Sequence, residues 1–182
     1  MYNVSQLSYI LNEMSIELIK VNEKNKEIFE NIYEFYLYEI SKYFSFDVYE
    51  NGKFSNESTK NYIYNTRREQ ILIKKDGKYA GFFLVLKKDD YNSIDEFGIM
   101  PKYRSGFFTY NVIRKYFLEK NKVTKFYIIN NNRRWKECME YMINKNNDIC
   151  KIIEKKEITF HKSKDQKYEF TSFLVEPVCN KM

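Results

Sequence analysis

Residues 96–108 read EFGIMPKYRSGFF and combine the residue types that suit a phosphate site. The chain has 5 glycines and 2 prolines, and this window holds two of the glycines and one proline. An apolar, strand-like run ends at Pro101, and a helical pattern begins near Gly106. The start of a helix offers unpaired backbone N–H groups and the positive end of the helix dipole, which together bind phosphate. Lys102 and Arg104 add positive charge, so the window predicts a phosphate site, although an ordinary strand–loop–helix junction has the same pattern.

The sequence disfavours several other kinds of site. His161 is the only histidine, and the three cysteines, at 138, 150 and 179, are not spaced as CxxC. We therefore predict no metal site and no catalytic set built on serine or cysteine with histidine. The odd number of cysteines favours a reducing compartment. Because the run YAGFFLVL lacks the residue order of an RNA-binding strand, we do not expect nucleic acid as a partner.

Composition and charge describe an ordinary globular domain. Hydrophobic residues make up 43% of the chain, and its length suits one domain with a sizeable core. The net charge of +6 comes from 31 basic and 25 acidic residues that are interspersed, which is typical of a solvated surface and also suits a polyanionic ligand such as a nucleotide cofactor. We see no signal peptide and no membrane-spanning run, and we expect a cytoplasmic protein.

The first part of the chain predicts a strand and two helices. Residues 16–21 alternate apolar and polar side chains, as a half-buried strand does. Asn22 is the expected cap of the next helix. The apolar positions of that helix are predicted at Ile28, Ile32, Phe35, Tyr36 and Ile40. Residues 44–56 form a long connection, and residues 58–66 form a short second helix.

The remainder predicts a hairpin, a β-α-β crossover and a final strand pair. Residues 70–74 and 79–86 flank Asp76-Gly77, a strong hairpin signal. Helical spacing predicts two further helices. The first has an apolar stripe at Phe108, Val112, Ile113, Tyr116 and Phe117. The second covers residues 132–144 and has Trp135, Cys138, Met139 and Met142 on one face. Further strands are predicted at 94–100, 125–130, 150–160 and 167–175.

The predicted order is β-α-α-β-β-β-α-β-α-β-β. It describes a mixed α/β fold with a mostly antiparallel central sheet flanked by helices. Residues 1–15 are expected as an N-terminal extension, open to interpretation as an added helix, a homodimer contact or a tail, before a single domain at 16–182.

The run IDEFGIMPKYRSGFF resembles the central motif of the GNAT family of N-acetyltransferases. In that motif the fourth strand carries a Glu and the next loop reads R/Q-x-x-G-x-G/A. The run is most similar to the bacterial predicted acetyltransferases with an EFFVxxKYRRxGIG pattern. Residues 32–54 resemble the first helix and loop of that subgroup, and DGKYAGFFLV resembles its hairpin. The resemblance covers about residues 16–144 and implies the GNAT fold with acetyl-CoA as cosubstrate.

The resemblance also implies a set of cofactor-binding residues. In the family, the loop amides and helix start hold the pyrophosphate of acetyl-CoA, and the fourth strand pairs with its pantetheine arm. The implied residues are Phe97, Gly98 and Ile99 on the strand, Arg104, Ser105, Gly106, Phe107, Phe108 and Thr109 in the loop and helix, and Asn132 before the last helix. Phe107 and Thr109 stand at the two glycine positions of the motif. Gly98 is open to two interpretations, a close backbone approach or tight packing.

Two catalytic residues follow from the same resemblance. Glu96 matches the Glu of the fourth strand and is implied as the base that takes a proton from the attacking amine. Strand alternation predicts that it shares a face with Ile94, Gly98 and Met100. Tyr141 is the candidate acid for the departing CoA thiolate, although a packing or surface role is the alternative. For Glu96 the alternative is an ion pair.

The sequence therefore predicts an acetyl-CoA-dependent N-acetyltransferase acting on a primary amine of a small molecule or a protein. The acceptor loops are expected at residues 44–56 and 161–166. The alternative is a GNAT-fold binding or regulatory module that has lost catalysis, because Phe107 replaces a glycine and the usual tyrosine is displaced.

Overall fold

The structure, a computed structural model, describes residues 16–44, 46–161 and 167–178. The predicted extension at 1–15 lies outside these residues, as do residues 162–166 of the second acceptor loop. Strands and helices follow in the predicted order, with a short 3-10 turn at Pro101–Tyr103. The elements are β1 (Ile16–Lys20), α1 (Lys26–Ile40), α2 (Glu57–Ile63), β2 (Arg68–Lys75), β3 (Lys78–Lys87), β4 (Asn92–Ile99), α3 (Gly106–Lys120), β5 (Thr124–Ile129), α4 (Arg133–Lys145), β6 (Cys150–His161) and β7 (Lys167–Pro177).

One seven-stranded sheet runs through the domain in the order β1-β2-β3-β4-β5-β7-β6. The β4–β5 pair is parallel and is connected by α3; the other pairs are antiparallel. The predicted mixed, mostly antiparallel sheet with one crossover is therefore confirmed. Buried side chains form two clusters, one between the sheet and α1 with α2, the other between the sheet and α3 with α4.

Helix α1 differs from the prediction at its start and on its buried face. It begins at Lys26 after Asn25 rather than after Asn22, whose side chain instead accepts from the Lys24 N–H at 2.9 Å. Phe35 was predicted on the apolar stripe and is 60% exposed. The buried residues follow i, i+3, i+4 spacing, and position 35 falls outside that stripe. They are Phe29, Ile32, Tyr33 and Leu37.

Strand β4 contains a bulge that changes which side chains share a face. Leu84 of β3 pairs with Glu96 and Val85 pairs with Ile94, so Asp95 is the extra residue. A bulge reverses the alternation beyond it. Ile94 packs in the α3–α4 cluster, whereas Glu96 meets α1 on the other face. The prediction that Glu96 and Ile94 share a face is therefore wrong, because alternation counts residues and cannot register an insertion.

Strands β4 and β5 separate soon after they meet. Their parallel pairing covers only residues 92–94 against 124–126. Beyond that point residues 95–98 are partly exposed although β4 lies in the middle of the sheet, while residues 82–85 of the adjacent β3 are buried. The separation thus opens a cleft between β4 and β5, which we call the β4–β5 cleft.

Two glycines allow β3 and β4 to pack closely beside this cleft. A Cβ on Gly98 would lie 2.6 Å from Cε1 of Phe82, and a Cβ on Gly81 would overlap the carbonyl oxygen of Gly98. Phe82 is fully buried, so its ring has little room to move. Close packing alone therefore accounts for a glycine at position 98.

We expect Gly81→Ala to destabilise the protein more than Gly98→Ala. The new methyl group at position 81 would clash with a backbone carbonyl, whereas the one at position 98 would clash with a side chain. Overpacking of this kind costs about 1–3 kcal/mol, and the backbone clash more. Urea denaturation measures both. Gly106→Ala is the control, since a Cβ there meets nothing within 4 Å. Equal stability of the Gly81 and Gly106 variants would contradict the close approach.

Candidate active site

Glu96 lies at the separation of β4 and β5 among three tyrosines. The hydroxyl of Tyr33 on α1 donates to its Oε1 at 3.2 Å. Tyr36 of α1 and Tyr62 of α2 also lie close enough to the carboxylate to lower its pKa. The geometry thus brings groups from two helices to a single carboxylate on β4.

Burial raises the pKa of Glu96 from its ordinary value to about 7. Hydrogen bonds from the three tyrosines oppose that rise, while the negative charge of Asp95 adds to it. Arg68 lies behind Asp95 and pairs with it at 2.9 Å. Burial and the Glu96 charge raise the pKa values of Tyr33, Tyr36 and Tyr62, so the hydroxyls stay protonated donors. A carboxylate with a pKa near 7 can both take and release a proton at neutral pH.

The raised pKa of Glu96 predicts a loss of stability as the pH rises. Between about 4.5 and about 7 the folded protein holds a proton on Glu96 that the unfolded chain has released, so the free energy of unfolding falls across this window. Glu96→Gln should remove that fall. Urea denaturation at pH 5 and pH 8 measures it, with Glu30→Gln as the control. An unchanged difference in Glu96→Gln would show that this carboxyl titrates normally.

The start of α3 is exposed and well formed. Oγ of Ser105 accepts from the Phe108 N–H at 3.1 Å, and its carbonyl accepts from the Thr109 N–H at 3.1 Å. Gly106 is the first residue of the helix and is exposed. The side chains of Phe108 and Thr109 are buried, and the Thr109 hydroxyl donates to the Ser105 carbonyl at 3.0 Å. Phe107 is 49% exposed, so its ring lies outside the core at the position of the first motif glycine.

Three basic residues surround this helix start. Nε of Arg104 donates to the Ile99 carbonyl at 2.6 Å, and its guanidinium pairs with Glu39 of α1. Lys75, at the end of β2, lies 5.4 Å from the Phe108 ring centroid, and Lys102 lies over Tyr103, whose ring contacts Phe108. The charge needed for a polyphosphate is thus present, with Lys75 contributed from a distant part of the sequence.

The junction of β5 and α4 lies across the cleft from β4. Oδ1 of Asn132 accepts from the Trp135 N–H at 3.4 Å and caps the helix. The Trp135 ring reaches Phe97 of β4, with centroids 5.6 Å apart, and Phe97 stacks on Phe83 at 4.5 Å. An aromatic contact therefore spans the α3–α4 side of the cleft.

The structure does not bring Tyr141 together with Glu96. Tyr141 is 62% exposed on the outer side of α4, and the Nζ of Lys145 lies 5.5 Å from its ring centroid. Glu96 faces α1 and α2 on the opposite side of the sheet. The two residues predicted to be catalytic therefore lie on opposite faces of the sheet.

The connection after α1 reaches the far side of the cleft. Phe44 packs on Tyr168 and Phe170 of β7, with ring centroids 5.0 and 6.3 Å apart. Phe46 contacts both Phe44 and Phe54 within the connection. The acceptor loop predicted at residues 44–56 therefore packs against β7. That strand begins directly after the other predicted acceptor loop, residues 161–166.

Sequence reasoning missed two parts of the site. These are the tyrosines around Glu96 and the cation Lys75 near the start of α3. Tyr36 was noted only as an apolar position of α1, and Tyr33, Tyr62 and Lys75 carried no local signal. A sequence pattern within one segment cannot report partners that meet 63 residues apart, as Tyr33 and Glu96 do.

No family model and no curated protein matches the chain in sequence. Solved structures do resemble it. A spermidine N-acetyltransferase from Vibrio cholerae, in complex with CoA and spermine, has a TM-score of 0.61 at 11% identity and covers 90% of this chain and 96% of its own. The ribosomal-protein-S18-alanine N-acetyltransferase from Escherichia coli has a TM-score of 0.53 at 11% identity, with coverage of 92% and 98%. A GNAT family acetyltransferase from Elizabethkingia anophelis with acetyl-CoA bound has a TM-score of 0.50 at 10% identity, with coverage of 90% and 99%.

These likenesses show that the chain has the GNAT acetyltransferase fold. The seven-stranded sheet and its flanking helices agree with the predicted fold class. Within the described residues, no helix is long and apolar enough to cross a membrane, and no three His, Cys, Asp or Glu side chains gather as metal ligands.

Proposed function

We propose that the protein is an acyl-CoA-dependent N-acetyltransferase that moves an acetyl group from acetyl-CoA to a primary amine. One observation carries the proposal: Glu96, with a pKa near 7, lies where β4 and β5 separate, on the strand that leads into the exposed start of α3. A proton acceptor and an anion-binding helix start therefore adjoin one cleft, as acyl transfer from a CoA thioester requires.

The pyrophosphate of acetyl-CoA would lie at the start of α3. The Gly106 and Phe107 amides, Arg104 and Lys75 are the groups we assign to it. A side chain at position 106 would meet no protein atom within 4 Å, so protein packing does not require a glycine there. Close approach of a ligand to the backbone does account for one.

The pantetheine arm and thioester would lie in the β4–β5 cleft. The Met100 N–H donates to Ala80 of β3. Because successive strand N–H groups point to opposite sides, the Ile99 and Phe97 N–H groups are directed toward the cleft. This orientation suits Phe97 and Ile99 for pairing with the arm, and suits the Ile99 amide for the oxyanion that forms on the thioester carbonyl.

The transfer step needs one proton acceptor. The neutral amine attacks the thioester carbon, a C–N bond forms, and the C–S bond breaks with its electron pair leaving on the CoA sulfur. One N–H proton passes to the Glu96 carboxylate, directly or through water. The primary amine is supported by two structural neighbours, because spermidine and alanine both present an amino group. The cytoplasmic location and a homodimer remain predictions.

The second candidate is a binding or regulatory module with this fold. Two observations favour it: Phe107 stands where the motif has a glycine, and the Trp135 ring contacts Phe97 across the cleft. Such a module would release no CoA from acetyl-CoA in the presence of any amine. A thiol-release assay over primary amines, including spermidine and an alanine-initiated peptide, separates it from the enzyme.

Acetyl-CoA should stabilise the folded protein. Ligand at roughly 100 times its Kd adds about 2.7 kcal/mol, which is a rise of roughly 5–10 °C in Tm for a chain of this size. Differential scanning fluorimetry measures the shift, and ATP at the same concentration tests whether any polyphosphate suffices. No shift at millimolar acetyl-CoA would rule out the cosubstrate.

Arg104→Gln should weaken CoA binding about tenfold, because it removes a charge-assisted contact to phosphate. The matched control is Glu39→Gln, which breaks the same ion pair but leaves the cation in place. Calorimetric titration with CoA compares the two. If both variants bind CoA equally well, the phosphate site lies elsewhere.

A further inference from the structure

Tyr33 occupies one tightly fixed position beneath Glu96. Only 2% of the residue is exposed. Its ring packs against Phe29, Tyr36 and Phe82, with centroid separations of 5.8, 5.7 and 5.5 Å. With the ring held on all sides, the hydroxyl remains at 3.2 Å from Oε1 of Glu96.

We propose that Tyr33 is a positioning residue for Glu96, holding one carboxylate oxygen at the level where β4 and β5 separate. This inference rests on the proposed function, in which Glu96 is the base. Tyr33 itself touches neither the amine nor the thioester. It acts by fixing the direction from which the carboxylate takes the proton and by favouring the ionised form that can take it.

The other groups around the carboxylate cannot replace this contact. The negative charge of Asp95 disfavours the ionised form of Glu96. The Arg68 guanidinium pairs with Asp95 at 2.9 Å. Tyr36 and Tyr62 also lower the pKa of Glu96, but the hydroxyl of Tyr33 is the one that lies 3.2 Å from Oε1. Removing the Tyr33 hydroxyl therefore leaves a carboxylate that is still partly desolvated, has one donor fewer and has a higher pKa.

Tyr33→Phe tests this directly, with Tyr64→Phe as the matched control. Tyr64 also donates to a glutamate of the same layer, Glu30, at 3.0 Å, but that glutamate has no part in the proposed chemistry. In Tyr33→Phe the acidic limb of the kcat/KM profile should move upward by about one pH unit, with activity recovering at high pH. Tyr64→Phe should keep the wild-type profile. A uniform loss at every pH in Tyr33→Phe would overturn the proposal, because it would indicate only structural damage.

A measurement without turnover keeps this inference separate from the proposed function. Carboxyl chemical shifts of ¹³C-labelled glutamate follow the titration, and Glu96→Gln identifies the Glu96 signal. An upward shift of the Glu96 titration in Tyr33→Phe supports the contact, whether or not the wild-type protein acetylates an amine. If the shift is seen but the wild type acetylates no amine, the proposed activity fails and the contact stands. No shift in the signal overturns the positioning role. If Tyr33→Phe does not fold, Tyr62→Phe on α2 should give a smaller upward shift, and an unchanged titration there overturns the idea of a tyrosine-held base.

Discussion

The separation of β4 from β5 is the constraint on which the rest of the structure depends. Two central strands joined along only three residue pairs leave backbone donors and acceptors without a sheet partner. The fold compensates in two ways. Arg104 reaches back to the Ile99 carbonyl, and the Phe97–Trp135 contact covers one side of the opening. Because the Met100 N–H donates to Ala80 of β3, the Phe97 and Ile99 N–H groups are directed toward the opening.

The bulge at Asp95 explains how a carboxylate comes to face the tyrosines beside that opening. Without the extra residue, Glu96 would face the α3–α4 cluster, which is apolar. With it, the side chain meets the tyrosines of α1 and α2, whose hydroxyls satisfy a group that burial would otherwise keep neutral. The same insertion leaves Asp95 to pair with Arg68. One irregularity thus separates two adjacent acidic residues into a structural ion pair and a titratable carboxylate.

The sequence predicted the fold more fully than the site, for physical reasons. The burial of Phe108, Val112 and Tyr116 on α3 could be predicted from their helical spacing, because the face that this spacing defines is the face that packs on the sheet. The start of α3 near Gly106 is equally local. The bulge could not be predicted, since it depends on how β3 registers with β4. The contact between Tyr33 and Glu96 was beyond any local pattern, because it exists only when α1 lies on the sheet.

The contact between Trp135 and Phe97 has a spectroscopic consequence. The chain contains 1 tryptophan, and that indole stands at the edge of the β4–β5 cleft. Emission excited at the red edge of its absorption therefore comes from this location alone, despite the 17 tyrosines elsewhere. The protein carries an intrinsic reporter of its own cleft, whose polarity changes when water there is replaced.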